Sequence, residues 1–228
     1  MILIFYTIGR SLLQSGLNQS LIRSQELDQE DYSTVFFFNL AASILIYILI
    51  FFLAPFISNF YDQPVLTPIV RLYCIIFIID AFTSVQQARL DKIMDFKTQT
   101  IIAIPATIAG GIVGISMAYM GYGVWSLVWS AIVTSFIGSV QFWIYSKWSP
   151  SFVFSKKKFK KHFNFGYKLS VSGILDKIFS NIYIILIGRY FSAAQVGFYT
   201  RAETMNQLPV NNITLALAKV TFPLFTSI

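Results

Sequence analysis

The order of apolar and polar residues along the chain predicts a series of membrane-spanning helices. No charged residue lies between Asp31 and Asp62, and a longer charge-free run between Lys97 and Lys147 is broken only by the turn-like residues MGYG at 120–123. A helix needs about 20 apolar residues to cross the hydrocarbon core of a bilayer, and backbone polar groups in lipid must be paired within their own segment. The first run therefore predicts one spanning helix, and the second predicts a helical hairpin.

Two further apolar segments contain charged residues within them. The segment at 68–89 contains Arg71 and Asp80, and the segment at 165–191 contains Asp176 and Lys177. Apolar stretches of this length still favour helices in a membrane. The expected fold is therefore all-α, a polytopic membrane bundle of about seven helices, which are Ile2–Ile22, Thr34–Ile57, Leu66–Ala88, Thr98–Tyr119, Val124–Ser146, Phe165–Tyr190 and Gly197–Phe225.

Composition indicates the same class of protein. Of the 228 residues, 56% are hydrophobic and 12% are charged, whereas a typical soluble chain has about 25% charged residues. The single cysteine, Cys74, lies in an apolar span and is expected to be a buried, inert thiol. The single histidine, His162, is predicted to lie in a polar loop, where it is expected to be solvated. These two residues do not make a metal site, and no cofactor is expected.

The distribution of lysine and arginine predicts the orientation of the bundle. The predicted connections fall alternately on two sides. Those at 23–31, 89–97 and 147–168 hold eleven lysine or arginine residues, whereas those at 58–64, 120–123 and 189–195 hold only Arg189. Because basic residues accumulate in cytoplasmic loops, the first set is predicted to be cytoplasmic.

The densest basic segment places five lysines within six positions and has phenylalanines between and around them. A nucleic-acid site is not favoured, because the net charge of +7 is concentrated on one side of a membrane rather than along a binding groove. Lysines and aromatic rings together suit a segment on an anionic leaflet. The residues expected to contact the leaflet are Lys156, Lys157, Lys158, Lys160 and Lys161.

A short internal repeat suggests two related halves. Residues 5–18, FYTIGRSLLQSGLN, align without gaps with residues 198–211, FYTRAETMNQLPVN, at an offset of 193 and with five identities. Transporters are often built from two such repeats. If the offset is real, a helix is missing before Met1 and the second half should continue beyond Ile228, so the chain is expected to be truncated at both ends. The alternative is a complete protein of seven helices.

In each copy of the repeat, polar residues recur at helical spacing. Those of the first copy, at positions 7, 10, 11, 14 and 18, share one face of a helix. Such a face turns away from lipid, and it either lines a substrate path or joins helices through hydrogen bonds. A charged residue deep in an apolar span costs free energy unless it has a partner or a function. The candidates for ion coupling or interhelical ion pairs are Asp80, Asp176 and Lys177, with Arg201 and Glu203 from the second copy.

Several longer blocks carry a family resemblance. Residues 33–64, STVFFFNLAASILIYILIFFLAPFISNFYDQP, residues 121–133, GYGVWSLVWSAIV, and the later blocks FGYKLS and GFYTRAE resemble bacterial polysaccharide biosynthesis and O-antigen flippases. These belong to the multidrug, oligosaccharidyl-lipid and polysaccharide exporter superfamily. The resemblance implies two pseudo-symmetric lobes around a central cavity. Residues 1–146 would form a first lobe without its first helix, 147–164 a basic cytoplasmic linker between the lobes, and 165–228 the first two helices of the second lobe.

The resemblance also implies a function, which is polysaccharide export by flipping an isoprenyl-diphosphate-linked oligosaccharide across the bacterial inner membrane by alternating access. Arg10 is the first candidate to bind the diphosphate, because a guanidinium offers two parallel hydrogen bonds to phosphate oxygens. Gln14, Asn18, Gln207 and Asn211 are expected to bind sugar hydroxyls. The expected partners are membrane lipid, the lipid-linked oligosaccharide and, as candidates, a glycan polymerase or other assembly proteins. A chain without most of its second lobe is not expected to flip substrate alone.

Three other interpretations are weighed beside the flippase. A drug or metabolite antiporter of the same fold would bind cations, and Asp80 is the residue that keeps this alternative open. A membrane enzyme would need a catalytic loop outside the membrane; the predicted outer loops are short, so no enzymatic activity is expected. A non-transporting membrane remnant would insert without supporting export.

Overall fold

A computed structural model describes residues 16–192 and 194–207 of the protein. Every regular element within these two ranges is a helix. They are α1 (Leu17–Arg23), α2 (Gln29–Phe60), α3 (Leu66–Tyr73), α4 (Ile76–Lys92), α5 (Phe96–Tyr119), α6 (Val124–Tyr145) and α7 (Lys156–Tyr190), followed by a helix at 194–207. The predicted all-α class is confirmed.

Within the described residues, five segments are long and apolar enough to cross a membrane, namely Gln29–Phe60, Leu66–Lys92, Phe96–Tyr119, Val124–Tyr145 and Lys156–Tyr190. Their outer surfaces carry large exposed apolar side chains, such as Phe52 and Phe56 on α2, Ile108 on α5 and Leu127 on α6. Apolar surface on this scale is not stable in water, whereas hydrocarbon solvates it. The chain is therefore a multi-pass membrane protein.

Two helices begin five or more residues earlier than the sequence predicts. α2 begins at Gln29 rather than Thr34 because Asp28 caps it. Asp28 Oδ1 accepts a hydrogen bond from the backbone N–H of Asp31 at 2.9 Å, and Asp31 Oδ2 accepts one from the backbone N–H of Asp28 at 3.1 Å. This reciprocal capping pairs two N–H groups that a helix start otherwise leaves unpaired. α7 begins at Lys156 rather than Phe165, so the cluster of lysines is helical.

The other predicted helices agree with the structure in different degrees. The hairpin of α5 and α6 is confirmed, and the predicted helix at 66–88 is interrupted at residues 74–75, between α3 and α4. Of the predicted first helix, only the end is described, as α1. The predicted last helix, which was expected to begin at Gly197, is described as far as residue 207, within the helix at 194–207. Residues 1–15 and 208–228 lie outside the described part.

The hairpin of α5 and α6 packs closely because small residues face each other. A Cβ atom on Gly110 would lie 2.8 Å from the carbonyl oxygen of Ser130, and one on Gly114 would lie 2.9 Å from the Cβ of Ser130. Ser130 Oγ donates a hydrogen bond to the carbonyl oxygen of Gly110 at 2.8 Å. Glycines four residues apart let membrane helices approach in this way.

Residues 16–180 and residues from 181 onward form two separate units. In the first unit, one apolar cluster joins α1, α2 and α4 and includes Leu21, Val35, Val85 and Trp148. Two others join α3 and α4 to α2 and to α6. Cys74 is 2% exposed, which agrees with the expected buried thiol. In the second unit, Ile184 and Val196 are buried.

Three connections of the first unit meet at one end of the bundle. The Lys92 ammonium donates a hydrogen bond to the carbonyl oxygen of Ser24. Gln29 donates from Nε2 to the carbonyl oxygen of Ser149 at 2.7 Å, and the Trp148 indole donates to Gln29 Oε1 at 2.8 Å. The connections at 24–28, 93–95 and 146–155, which carry or adjoin most of the basic residues, therefore lie at the same end.

Candidate functional site

A cavity of about 490 Å³ lies between α4, α5 and α6. Phe96 and Gln99, at the start of α5, line one part, and Asp80, in the middle of the α3–α4 span, lines another. The cavity therefore extends from the basic end of the bundle toward the centre of the membrane. Its polar lining residues, which we call the polar groove, are Asp80, Thr83, Gln87, Gln99, Thr100, Thr107, Thr134, Ser135 and Ser139.

Asp80 is held within the polar groove by a short hydrogen bond. Ser135 Oγ donates to Asp80 Oδ1 at 2.6 Å, across the interface between α4 and α6. At the end near the basic connections, Gln99 Nε2 donates to Asp91 Oδ1 at 2.8 Å and joins α5 to α4. The groove thus presents hydroxyls, amides and one carboxylate in a segment that is otherwise apolar.

A second polar group, which we call the asparagine cluster, lies beside the groove. Asn39 Nδ2 donates to Asn18 Oδ1 and to Ser84 Oγ, both at 3.1 Å, and joins α2 to α1 and α4. A cavity of about 110 Å³ is lined by Asn18, Ser84 and Gln87, and Gln87 also lines the polar groove. Buried hydrogen bonds of this kind hold membrane helices in one arrangement.

Gln86 directly precedes Gln87, which lines both cavities, and its side chain is fully buried. Its amide oxygen and nitrogen have no hydrogen-bond partner among the described residues. A buried amide without a partner costs free energy, so the amide marks a polar position inside α4 that packing alone does not explain.

A third polar group lies at the basic end of the bundle, and we call its members Ser20, Asp28, Asp31, Lys158 and His162 the Asp31 clasp. Lys158 Nζ lies 2.9 Å from Asp31 Oδ2 and 2.9 Å from Asp28 Oδ2. His162 Nε2 lies 2.9 Å from Asp31 Oδ1, and His162 Nδ1 lies 2.8 Å from Ser20 Oγ. The clasp joins α7 to α1 and to the start of α2.

Burial makes the clasp more than a surface ion pair. The side chains of Asp31 and His162 are both 0% exposed. A neutral imidazole with its proton on Nε2 donates to Asp31 and accepts from the Ser20 hydroxyl, so the hydrogen-bond network assigns this tautomer. The carboxylate of Asp31 then accepts from Lys158, from His162 and from the backbone N–H of Asp28. The expectation that His162 is a solvated loop residue is wrong, because it faces the bundle from a helix.

Further contacts fix the segment that precedes α7 and the first turns of α7. Ser33 accepts a hydrogen bond from the backbone N–H of Ser151, and Thr34 accepts one from that of Ser155, both at 3.0 Å. Farther along α7, a Cβ atom on Gly166 would lie 2.7 Å from the carbonyl carbon of Gly16. The backbones of α7 and the residue before α1 therefore touch directly.

The structure places the predicted binding residues in different surroundings. Asn18 lies in the asparagine cluster and Gln207 is exposed, whereas Arg10, Gln14 and Asn211 lie outside the described residues. The candidates for coupling also separate. Asp80 lies in the polar groove, Asp176, Lys177 and Arg201 are exposed, and Glu203 is half-buried.

The five clustered lysines also divide. Lys158 forms the two contacts in the clasp. The remaining four are exposed: Lys156, Lys157, Lys160 and Lys161.

Comparison with known proteins gives the family. All 228 residues match the model of the family described as "Polysaccharide biosynthesis protein". The chain belongs to this family. Family relatives include the teichuronic acid biosynthesis protein TuaB of Bacillus subtilis, which is 29% identical over 94% of this chain and 45% of its own length. The succinoglycan biosynthesis transport protein ExoT of Rhizobium meliloti is 23% identical over 92% and 43%, respectively.

A third family relative, the lipopolysaccharide biosynthesis protein WzxC of Escherichia coli, is 22% identical over 99% of this chain and 46% of its own length. The chain spans about half the length of the curated relatives it matches. No solved structure matches the chain. The family resemblance expected from the sequence is confirmed, and these relatives have roles in polysaccharide biosynthesis and its transport.

Sequence reasoning missed most of the residues that make these sites. The polar run at 83–87 inside an apolar span was a usable signal, because TSVQQ breaks the apolar character of α4. The clasp had a weaker signal, since Asp31 and His162 are separated by 131 residues and only the fold brings them together.

Proposed function

We propose that this chain takes part in polysaccharide export by flipping an isoprenyl-diphosphate-linked oligosaccharide across the cytoplasmic membrane. The observation that carries the proposal is the match of all 228 residues to the polysaccharide biosynthesis family. The polar groove supports it, because a hydroxyl-rich headgroup needs hydrogen-bonding partners along its path through an apolar phase. Rocking of two lobes about a central site would supply alternating access.

The proposed division of the chain follows the family resemblance. Residues 1–146 belong to a first lobe, 147–164 link the lobes, and 165–228 begin the second lobe. The basic end of the bundle faces the cytoplasm, because lysine and arginine accumulate there. Partners on that side are membrane lipid, the lipid-linked oligosaccharide and the proteins that assemble it.

Roles for the predicted site residues are part of the same proposal. Arg10 binds the diphosphate, and Gln14, Asn18, Gln207 and Asn211 bind sugar hydroxyls. Asn18 is engaged with Asn39 in the described fold, so substrate would exchange for that hydrogen bond. The asparagine cluster then acts as the position where a sugar displaces a contact between helices.

One observation favours a second candidate function, a multidrug or metabolite antiporter. Asp80 is a carboxylate in a polar groove within a membrane span, and intramembrane carboxylates bind cations or protons in transporters. An antiporter would move an organic cation against such an ion. In this second candidate function, Asp176, Lys177, Arg201 and Glu203 are further candidates for coupling transport to an ion.

Proteoliposomes that contain the chain distinguish the two functions, and transfer would also contradict the expectation that a chain without most of its second lobe cannot flip substrate alone. A fluorescent oligosaccharide linked to isoprenyl diphosphate is loaded in one leaflet, and its appearance in the other is followed by an impermeant quencher. Transfer above that of protein-free liposomes, together with its loss in Arg10→Ala at equal protein level, supports flipping. Transfer of ethidium without transfer of the lipid-linked sugar supports the antiporter. No transfer of either probe contradicts both for this chain alone and fits a non-transporting remnant.

A further inference from the structure

The first turns of α7 have two faces that differ in burial. His162, Gly166 and Ser170 are buried and recur every four residues, which places them on one side of the helix. Lys156, Lys157, Lys160 and Lys161 are all exposed. Positions 157, 160 and 161 have the spacing i, i+3 and i+4, so their side chains share the opposite side. We call the four exposed lysines, which are Lys156, Lys157, Lys160 and Lys161, the lysine face.

Charge pairing separates Lys158 from the lysine face. Lys158 contacts the carboxylates of Asp28 and Asp31 at 2.9 Å. Among the described residues, no salt bridge involves a member of the lysine face. The positive charge of these lysines is therefore available to an external anion.

The Asp31 clasp sets which way the lysine face points. His162 Nε2 is 2.9 Å from Asp31 and His162 Nδ1 is 2.8 Å from Ser20, so a rotation of α7 about its axis would break both contacts. The close approach of Gly166 to Gly16 restricts the same rotation one turn farther along. His162 and Asp31 are thus positioning residues for the lysine face.

Position along the helix favours a lipid headgroup as the anion. α7 has 35 residues, which corresponds to about 52 Å at 1.5 Å per residue, and the hydrocarbon core is only about 30 Å thick. The lysine face lies in the surplus at the start of the helix, next to the membrane surface. Exposed aromatic rings accompany it, and Phe163 stacks on Tyr167 with 5.8 Å between ring centroids. Such rings settle at headgroup level.

We propose that the lysine face is a binding surface for anionic phospholipid headgroups of the adjoining leaflet, held in its orientation by the Asp31 clasp. The proposal does not depend on flipping activity, because it concerns a permanent contact with the bilayer. Lysine near an anionic surface contributes roughly a fivefold change in binding. Removing two lysines should therefore weaken binding roughly 30-fold.

The test uses the full chain, transferred from nanodiscs into detergent and titrated with phosphatidylglycerol or phosphatidylcholine, with bound lipid counted by native mass spectrometry. Lys160→Gln with Lys161→Gln is the test variant. Lys97→Gln with Lys147→Gln is the matched control, because it removes the same charge from exposed lysines near the same end. We expect the test pair to lose phosphatidylglycerol binding about 30-fold and the control pair to lose less than about fivefold, with phosphatidylcholine unchanged.

Three outcomes would overturn the proposal. Equal losses in the two pairs would show a diffuse charge effect, and no loss in the test pair would show that the lysine face binds no lipid. Displacement of phosphatidylglycerol by millimolar inorganic diphosphate would identify a site for free phosphate groups instead of lipid. Failure of sugar flipping in proteoliposomes leaves these lipid titrations unaffected, so the two proposals fail separately.

The positioning role is tested at His162. His162→Ala removes both contacts and should reduce phosphatidylglycerol binding, although all four lysines remain. His162→Gln can donate to Asp31 and accept from Ser20, so it should restore most of the binding. Equal binding in the alanine variant and the unchanged protein would contradict the role of the clasp. If the alanine variant does not fold, the comparison of the two lysine pairs still decides the proposal.

Discussion

Two carboxylates of the clasp contact the same lysine nitrogen at the same distance, and they should differ greatly in their effect on stability. Asp28 and Asp31 both lie 2.9 Å from Lys158 Nζ, but the Asp28 side chain is 57% exposed and the Asp31 side chain is 0% exposed. Replacing Asp31 by asparagine keeps the shape but removes the negative charge that Lys158 contacts, and it puts an NH2 group in place of one of the two oxygens that accept from Lys158 and His162. Leaving a buried donor without its acceptor costs about 1–3 kcal/mol, and more where the group is charged. Because asparagine retains hydrogen-bonding capacity, we expect about 3 kcal/mol for Asp31→Asn.

Asp28→Asn is the matched control for this prediction. An exposed ion pair contributes about 0–1 kcal/mol, and asparagine caps a helix about as well as aspartate, so we expect a loss below about 1 kcal/mol. Both free energies of unfolding are measured by titrating the protein in mixed micelles with dodecyl sulfate and following helicity by circular dichroism. Equal losses in the two variants would refute the argument that burial makes the Asp31 contact the stronger one. A loss of unfolding free energy below about 0.5 kcal/mol for Asp31→Asn would refute the same argument.

Three other predictions concern the rest of the bundle. Gly110→Ala should destabilise the α5–α6 hairpin by about 1–3 kcal/mol. Gly111→Ala should not, because a Cβ there meets no atom within 4 Å. Equal unfolding free energies for the two variants would contradict the close packing of α5 against α6 at Gly110. Hydrogen bonds from the backbone and side chain of Thr98 lower the pKa of Asp95 below its ordinary 3.8, so the cap it forms is present above pH 3.8 and is lost as the pH falls through the lowered pKa. The protection of the Thr98 amide against hydrogen exchange should fall in that acid range, and Asp95→Asn should abolish the fall. Protection of this amide that does not change with pH would count against the cap. Cys74, at 2% exposure, should resist maleimide in the folded protein and react after unfolding, and rapid labelling of the folded protein would show that α3 and α4 open.

Much of the fold could be predicted from the sequence because lipid imposes a simple rule. A charge-free run must pair its backbone internally, which is why the hairpin of α5 and α6 and the core of α2 were correctly expected. The starts of α2 and α7 were not correctly expected, because the charged residues at both starts were assigned to the connections between helices. At those starts the charges stabilise the helix instead. Asp31 completes the cap of α2, and Lys158 contacts that cap from α7.

The sites were harder to predict because their residues are far apart in sequence. The polar spacing around Asn18 indicated a face that turns away from lipid, and the structure gives its partners as Asn39 and Ser84. Nothing in the local sequence specifies those partners, since each comes from a different helix. His162 shows the same difficulty, because a single histidine among lysines looks solvated until the fold places Asp31 and Ser20 beside its ring.

The connection at 147–155 has a consequence for engineering this protein. It looks like a hydrophilic loop in which a tag could be inserted, yet Trp148, Ser151 and Ser155 are each hydrogen-bonded to α2. Adding residues there would shift every later side chain out of register with its partner. The turn at 121–123 is the opposite case, because nothing lies within 4 Å of a Cβ placed on Gly121 or Gly123. An epitope tag for topology mapping therefore belongs at 121–123, on the less basic side of the bundle.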